Sequence, residues 1–306
     1  MAPVLQTFLS KRNNSLRMIS KGIKKSIRWE PDAEGKLLTW EKVHTVCEES
    51  RCPNRFECSR ENTATFLIGG NRCTRSCRFC HILHNPSDSI NNLAEKEVVA
   101  ILKAVEQLKL DFTVITSVTR DDQPEELAAH FANIALSLEK NGINTELLIP
   151  DFNGSSTCLD KITEGNPRVI AHNLETVERL SASIRKDASY KKSLQVLQYY
   201  SNKYPKIIIK SGIMTGLGET ISEIKVTLRD MYNAGVSIVT VGQYLRPSSG
   251  QMEVMQIYTE NDFYEIESFA RGLGFLGVAC GPYVRSSYRA ATYWKMAQEN
   301  KREAVK

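Results

Sequence analysis

The sequence predicts an α/β fold, a TIM-like but unclosed (β/α)6 barrel of parallel strands. Three observations over its 306 residues lead there. Short β-branched runs alternate with longer segments of helical period, the pattern of parallel βαβ units. Several runs have continuous apolar cores, as in "IIIK" and "SIVTV", which suits a sheet covered on both faces. There are six such units, fewer than the eight that close a barrel.

Taken in chain order, a basic arm comes first. Residues 1–29 carry Lys11, Arg12, Arg17, Lys21, Lys24, Lys25 and Arg28 and no acid, with Ile19, Ile23 and Ile27 at helical spacing. Three readings are open for the arm: a solvated segment that docks an acidic partner, an organellar transit peptide, or a nucleic-acid contact. The last lacks an aromatic-interleaved basic patch, so no nucleic-acid partner is expected. We set the arm at 1–42, a cysteine-bearing segment at 43–63, the barrel at 64–281 and a C-terminal extension at 282–306. Strands are predicted at 64–69, 112–118, 145–149, 168–172, 206–213 and 236–243. Helical periodicity falls near 93–109, 124–141, 174–183, 190–203 and 219–234. The run "GFLGVAC" (274–280) is placed as an added strand at the open edge.

Net charge is +5, with 42 % hydrophobic and 25 % charged residues, which is ordinary for a soluble globular chain. No apolar run approaches the roughly 18 residues of a membrane span, and no secretory h-region is visible. Clustered cysteines in a chain of this length point to metal ligands in a reducing compartment. A cytoplasmic location is expected, or the mitochondrial matrix or a plastid if 1–29 is a transit peptide.

Six of the eight cysteines fall into two triplets. "CTRSCRFC" spaces Cys73, Cys77 and Cys80 as C-x3-C-x2-C just after the first barrel strand. Barrels of parallel strands carry their chemistry at that end. Structural zinc takes four ligands, usually as two pairs; here three thiolates share a loop, with His81 as an open fourth. A cubane four-iron four-sulfur cluster can be held by three thiolates, leaving one iron free for a ligand. "CEESRCPNRFEC" places Cys47, Cys52 and Cys58 as C-x4-C-x5-C before the barrel. It reads as a second cluster or, less pointedly, as zinc or core cysteines. Cys158 and Cys280 read as small core hydrophobes.

The first triplet, with Phe79 before its last cysteine, resembles the radical S-adenosylmethionine (SAM) superfamily. The second triplet, followed in order by "TSVTRDD", "LIPDF", "HNLETVERL", "KSGIMTGLGET", "VGQYLRPS" and "CGPYVRSSYRA", resembles lipoyl synthase over about residues 43–292. That resemblance implies two [4Fe-4S] clusters and SAM, two per lipoyl group. The catalytic cluster would sit on Cys73, Cys77 and Cys80. An auxiliary cluster would sit on Cys47, Cys52, Cys58 and a serine of "RSSY", Ser287 in preference to Ser286. The implied reaction places two sulfur atoms at C6 and C8 of an octanoyl-lysine on a lipoyl carrier domain, and the auxiliary cluster is the sulfur source. The carrier would be a 2-oxoacid dehydrogenase E2 or a glycine cleavage H protein, and the electron donor a ferredoxin or flavodoxin. Another auxiliary-cluster sulfur-inserting enzyme, of the biotin synthase kind, is the alternative.

The same resemblance places SAM contacts at Asn173 and Glu175, at Arg120, Asp121 and Asp122, and near the adenine at Gly216, Gly218 and Glu219. Each glycine reads equally well as a plain turn. Arg185 would meet the SAM carboxylate or merely coat a helix. His44, His84 and His130 offer only surface or packing roles. The chain departs from the family pattern at Thr119, Gln123 and Arg246 and in "HILHNPSDS".

Overall fold

Alternation of strand and helix produces a large open sheet, with a separate two-stranded pair in the loop that holds Cys73, Cys77 and Cys80. The computed structural model describes residues 44–50, 52, 54 and 64–303; the basic arm and Cys58 lie outside the described residues. A short pair, β1 (His44–Thr45) and α1 (Val46–Glu49), precedes the barrel. Then come β2 (Thr65–Ile68), β3 (Arg72–Cys73), β4 (Leu83–His84) and α2 (Ile90–Leu108). Next are β5 (Phe112–Ser117), α3 (Pro124–Lys140), β6 (Asn144–Leu148), α4 (Ser156–Thr163) and β7 (Val169–Ala171). The remainder is α5 (Glu178–Ile184), α6 (Tyr190–Lys203), β8 (Ile208–Thr215), α7 (Ile221–Asn233), β9 (Ile238–Gln243), α8 (Glu260–Leu273), β10 (Gly277–Gly281) and α9 (Ala290–Glu303).

The sheet runs β1-β2-β5-β6-β7-β8-β9-β10. Every neighbouring pair is parallel except β1 with β2. All six expected strands are present. The 274–280 run becomes β10 and pairs parallel with β9, Gly277 opposite Ile238. The parallel run is therefore seven strands long, one more than the six-unit count. The helix expected over 174–183 begins only at Glu178, because Glu175 takes φ +65 and bridges to Ile213 instead. Four helices carry no expectation from the sequence: α1 and α4 are only four and eight residues, and α8 and α9 lie beyond the last repeating unit. The capping boxes of α7 (Thr220 with Glu223) and α8 (Thr259 with Asp262) fix where those two begin.

Side-chain alternation gives each strand two buried faces. Phe66, Ile115, Leu147, Ile170, Ile209 and Val239 point into the main core with the flanking helices. Phe112, Val114, Val169, Ile208 and Ile238 point the other way and are covered by Ala290, Trp294 and Ala297 of α9. Trp294 stacks on Phe112 with ring centroids 5.2 Å apart. This double coverage is why the strands are largely apolar on both faces. Among the described residues, no helix is long and apolar enough to cross a membrane.

One ion pair interrupts the apolar inner face. Lys210 Nζ on β8 donates to both oxygens of Glu146 on β6 at 2.8 Å, and both side chains are 1 % exposed. Ala171 of β7, opposite Lys210 in register, leaves the space between them. Breaking such a pair strands a buried charge, whereas replacing both members does not. Lys210→Ala should therefore cost about 3–5 kcal/mol of unfolding free energy. Lys210→Met combined with Glu146→Leu should recover most of that in urea unfolding. Equal stability of the single variant and the parent would contradict this account.

Candidate active site

The three-cysteine loop leaves the sheet where β2 ends. Arg75, in its middle, is 6 % exposed and anchors it. Its Nε and Nη2 donate to Asp121 at 2.8 and 2.7 Å. Its Nη1 and Nη2 donate to Asp151 at 2.9 and 2.7 Å. Asp121 follows β5 and Asp151 follows β6, so one guanidinium ties the loop to two strand ends. Burial pushes the Asp151 carboxyl up, but Arg75's hydrogen bonds and charge outweigh it and bring it down to about 2. Thr74 adds bonds from N and Oγ1 to the Thr119 carbonyl at 2.9 and 3.1 Å.

Backbone N–H groups of Arg75 and Thr119 point at Cys73 Sγ, each at 3.3 Å. Cys80 N–H turns back to the Cys77 carbonyl at 3.0 Å. The 246–258 segment straps the loop from outside. Met252 N–H donates to the Arg78 carbonyl at 3.0 Å, and Gln251 Nε2 to the Cys80 carbonyl at 3.2 Å. Arg246, a departure from the family pattern, gathers this strap through the carbonyls of Ser249 and Gln251. Gln123, another, caps α2 at Ile90 N–H, 3.0 Å away.

Burial pushes the Cys77 thiol up to about 11, against the charge of Arg185 and with that of Glu175. Burial likewise pushes Cys80 up to about 12. Cys73 pushes both thiols the same way, and Cys77 adds to the push on Cys80. Among the described residues, no three His, Cys, Asp or Glu side chains already converge as a metal cage.

Cys77 opens onto a cavity lined by Arg75, Asp151, His172, Asn173, Glu175 and Arg185, among others. Asn173 Nδ2 donates to Glu175 Oε1 at 3.0 Å. Burial raises the Glu175 carboxyl, opposed by Arg185 and Asn173. Burial lowers Arg185, opposed by Glu175. Arg185 Nη1 donates to the Leu174 carbonyl (2.9 Å) and to Ser193 Oγ (3.1 Å). Burial, with the Arg185 charge, brings His172 down to about 4. Its Nδ1–H donates to the Ile149 carbonyl at 2.9 Å, which leaves Nε2 to accept from Ser193 Oγ at 2.9 Å. The cavity thus presents a cation, a carboxylate and an amide side by side. Asn173 Oδ1 and Ser117 Oγ are buried without a hydrogen-bond partner, and both residues line it. Buried polar atoms of this kind call for a polar occupant. The cavity fits a zwitterionic cofactor beside a three-thiolate cluster.

Other expected ligand residues are occupied elsewhere. Arg120 pairs with Asp122 at 2.8 Å and reaches the Gly69 and Asp88 carbonyls, and Asp121 belongs to Arg75. Glu219 is 3 % exposed and accepts from the N–H groups of Gly216 and Leu217. A Cβ on Gly216 would lie 2.1 Å from Gln243 Nε2, so this glycine serves packing. Gly218 is held at φ +108, and its Cβ position has only Met255 near it.

Two residues of the 43–63 segment, Cys52 and Asn54, come near the chain just before and at the start of "RSSY". Cys47 belongs to α1, and Cys52 N–H donates to its carbonyl at 3.2 Å. Asn54 Nδ2 donates to the Tyr283 carbonyl at 2.6 Å. Burial lowers the Arg285 guanidinium, and the Cys52 thiol opposes that. Ser286 and Ser287 sit in the turn that leads into α9. Val284 crosses the end of β9, where a Cβ on Gly242 would lie 1.9 Å from its carbonyl oxygen.

An open sheet with a three-cysteine loop and a polar cavity at its strand ends defines a radical SAM protein, and the model of that superfamily matches residues 67–231. Solved structures agree in fold alone. SuiB of Streptococcus suis bound to S-adenosylmethionine gives a TM-score of 0.55 at 12% identity, over 74% of this chain and 53% of that one; this chain thus spans about half the length of SuiB. Methylornithine synthase gives 0.53 at 16% identity, over 72% and 68%. Lipoyl synthases are far more similar in sequence. That of Picrophilus torridus is 46% identical over 83% of this chain and 88% of its own length. That of Myxococcus xanthus is 43% identical over 83% and 85%. The chain belongs to the lipoyl synthase family.

The Arg75–Asp151 contact has a pH signature. The Asp151 carboxyl sits below its usual ~3.9, so its stabilisation is present above about pH 4 and is lost as pH falls towards 2. Asp151→Asn should lower the unfolding free energy of the cluster-free chain at pH 7 by about 2 kcal/mol or more. It should also flatten the acid limb below about pH 4. Urea unfolding at pH 7 and pH 3 measures both, and a variant with the parent's acid limb would refute the assignment.

Proposed function

We propose that this chain inserts sulfur at C6 and C8 of an octanoyl group amide-linked to a lysine of a lipoyl carrier domain, with SAM as co-substrate, two per lipoyl group. The observation that carries this reading is the meeting of Asn54 and Cys52 with Tyr283 and Arg285. It supports a second cysteine site, separate from the loop of Cys73, Cys77 and Cys80 and completed by "RSSY". The carrier is a 2-oxoacid dehydrogenase E2 or a glycine cleavage H protein, and the electron comes from a ferredoxin or flavodoxin.

Carbons C6 and C8 of an octanoyl chain carry no acidic proton and no leaving group, so acid–base and nucleophilic routes have no hold on them. The cluster on Cys73, Cys77 and Cys80 supplies, when bound, the electron that cleaves SAM. Arg185 holds the SAM carboxylate, its guanidinium kept in place by Ser193 and the Leu174 carbonyl. Glu175 and the open Oδ1 of Asn173 take the ammonium and ribose hydroxyls. Gly218 lets backbone approach the adenine, while Glu219 keeps the Gly216–Leu217 turn in shape.

Cys47, Cys52, Cys58 and Ser287 hold the sulfur-donating cluster in the 43–63 segment and the 282–306 extension. Ser286 stands as the neighbouring alternative. A serine oxygen is a harder ligand than thiolate for such iron and is more readily released. Arg285, which senses the charge of Cys52, offsets negative charge there.

Metal and sulfide analysis tests this directly. The parent should hold about eight iron and eight sulfide, the count of two cubanes. Cys52→Ala should keep about four iron, still cleave SAM under reductant, and form no carbon–sulfur bond on an octanoyl-lysine peptide. Cys77→Ala should abolish SAM cleavage. A Cys52→Ala chain that still makes lipoyl product from its own sulfide would overturn the proposal, as would zinc without sulfide in the parent.

A further inference from the structure

Gly69 and Gly70 form the root of the three-cysteine loop, between the end of β2 at Ile68 and Cys73 on β3. They take φ +76 and +86, a left-handed turn. Their N–H groups converge on one side chain. Gly69 N–H donates to Glu97 Oε2 and Gly70 N–H to Glu97 Oε1, each at 3.0 Å. Glu97 lies on α2 and is 8 % exposed, a rare setting for a glutamate. His130 of α3, also buried, brings its Nε2 to 2.6 Å from Glu97 Oε2. A carboxylate oxygen accepts only, so this nitrogen carries the hydrogen. On the other side of the turn, Arg120 Nη1 reaches the Gly69 carbonyl at 3.5 Å.

We propose that Glu97, held by His130, is a positioning residue for the radical-generating loop: its carboxylate clamps the Gly69–Gly70 turn and sets where Cys73, Cys77 and Cys80 can meet. The inference rests on the reading of that loop as the SAM-cleaving site and is independent of sulfur insertion. The physical case starts from two consecutive glycines, which are the most pliant backbone a chain offers. A single neutral carbonyl oxygen would have to share its lone pairs between the two N–H groups. A buried carboxylate satisfies both in parallel, and charge-assisted bonds are the stronger kind. Arg75 fixes the middle of the loop to Asp121 and Asp151, but nothing in that contact fixes its root. Glu97 does so from the helix that follows the loop, and His130 ties Glu97 to the next helix. His130 thus has a part that its place in the sequence did not disclose.

Glu97→Gln tests the clamp at nearly constant volume. The amide replaces one acceptor with a donor: with its oxygen towards Gly69 and His130 the Gly70 N–H is left unpaired, and with its oxygen towards Gly70 both other donors are. In the cluster-free chain, hydrogen exchange across residues 66–72 should quicken roughly tenfold, the size of one lost buried hydrogen bond. After reconstitution, reductive formation of 5′-deoxyadenosine should fall by a similar factor. The change that SAM makes in the electron paramagnetic resonance of the reduced cluster should weaken in parallel. His130→Leu should act in the same direction, and His130→Gln, which keeps a donor, should restore both readouts. That pair decides the matter if Glu97→Gln does not fold. Ile134→Ala, a core truncation on the same helix as His130, serves as the stability control.

Unchanged exchange at 66–72 in Glu97→Gln, or equal losses in Ile134→Ala at the same melting temperature, would overturn the proposal. Because the readout is SAM cleavage, a parent that cleaves SAM and never forms a carbon–sulfur bond refutes sulfur insertion alone. The clamp is then upheld by the variant series.

Discussion

Arg75 is a buried cation with two carboxylates and no alternative protonation state. Burial works against its charge, and the hydrogen bonds to Asp121 and Asp151 outweigh that penalty. A guanidinium presents its donors as a rigid fork, so two bidentate partners fix its plane and with it the loop backbone on either side. Because the carboxylates follow β5 and β6, the constraint also sets the distance between those strand ends. The wall of the cavity, from Thr116 to Asp151, is built on that spacing. Remove the cation and the fully buried Asp151 carboxylate is left facing Asp121 without a counter-charge, which is costly.

Polar residues at the strand ends divide into two groups by what they touch. Arg120, Asp122, Gln123, Glu219 and Gln243 bond to backbone or to one another and shape the loops. Asn173, Glu175 and Arg185 face the cavity and carry the charge a ligand would meet. The second group rests on an unusual backbone. Glu175 sits at φ +65, a conformation costly for a side chain of its size. It is held there by paired bonds with β8, Glu175 N–H to the Gly212 carbonyl at 3.0 Å and Met214 N–H to the Glu175 carbonyl at 2.9 Å. Strain at that position keeps the carboxylate turned towards Arg185.

The C-terminal extension has two structural consequences. Its helix α9 seals the inner face of the sheet through Trp294, and the segment before it crosses the strand ends. The absence of a side chain at Gly242 lets the Val284 carbonyl settle on β9, and that seat carries Tyr283 and Arg285 towards Asn54 and Cys52. Residues more than two hundred positions apart in sequence are joined by this one close approach.

The amino-acid sequence by itself determined the strands, the parallel order and the cysteine loop. Those follow from local periodicity and spacing: "KIIIKSGI" has little choice but to be a buried strand, and C-x3-C-x2-C needs no distant contact to be read. It also marked Arg185, Asn173 and Glu175, which the cavity does bring together. Only the tertiary structure decided which polar residues face that cavity. "TSVTRDD" and "MTGLGET" look like ligand loops, yet Arg120 and Glu219 turn inward and Asp121 is taken by Arg75, because a buried backbone N–H or guanidinium must find an acceptor wherever the fold provides one. Nor does local sequence distinguish His130 from any other helix histidine. Its pairing with Glu97 exists because α2 and α3 pack side by side, and packing between helices leaves no periodic trace in either one.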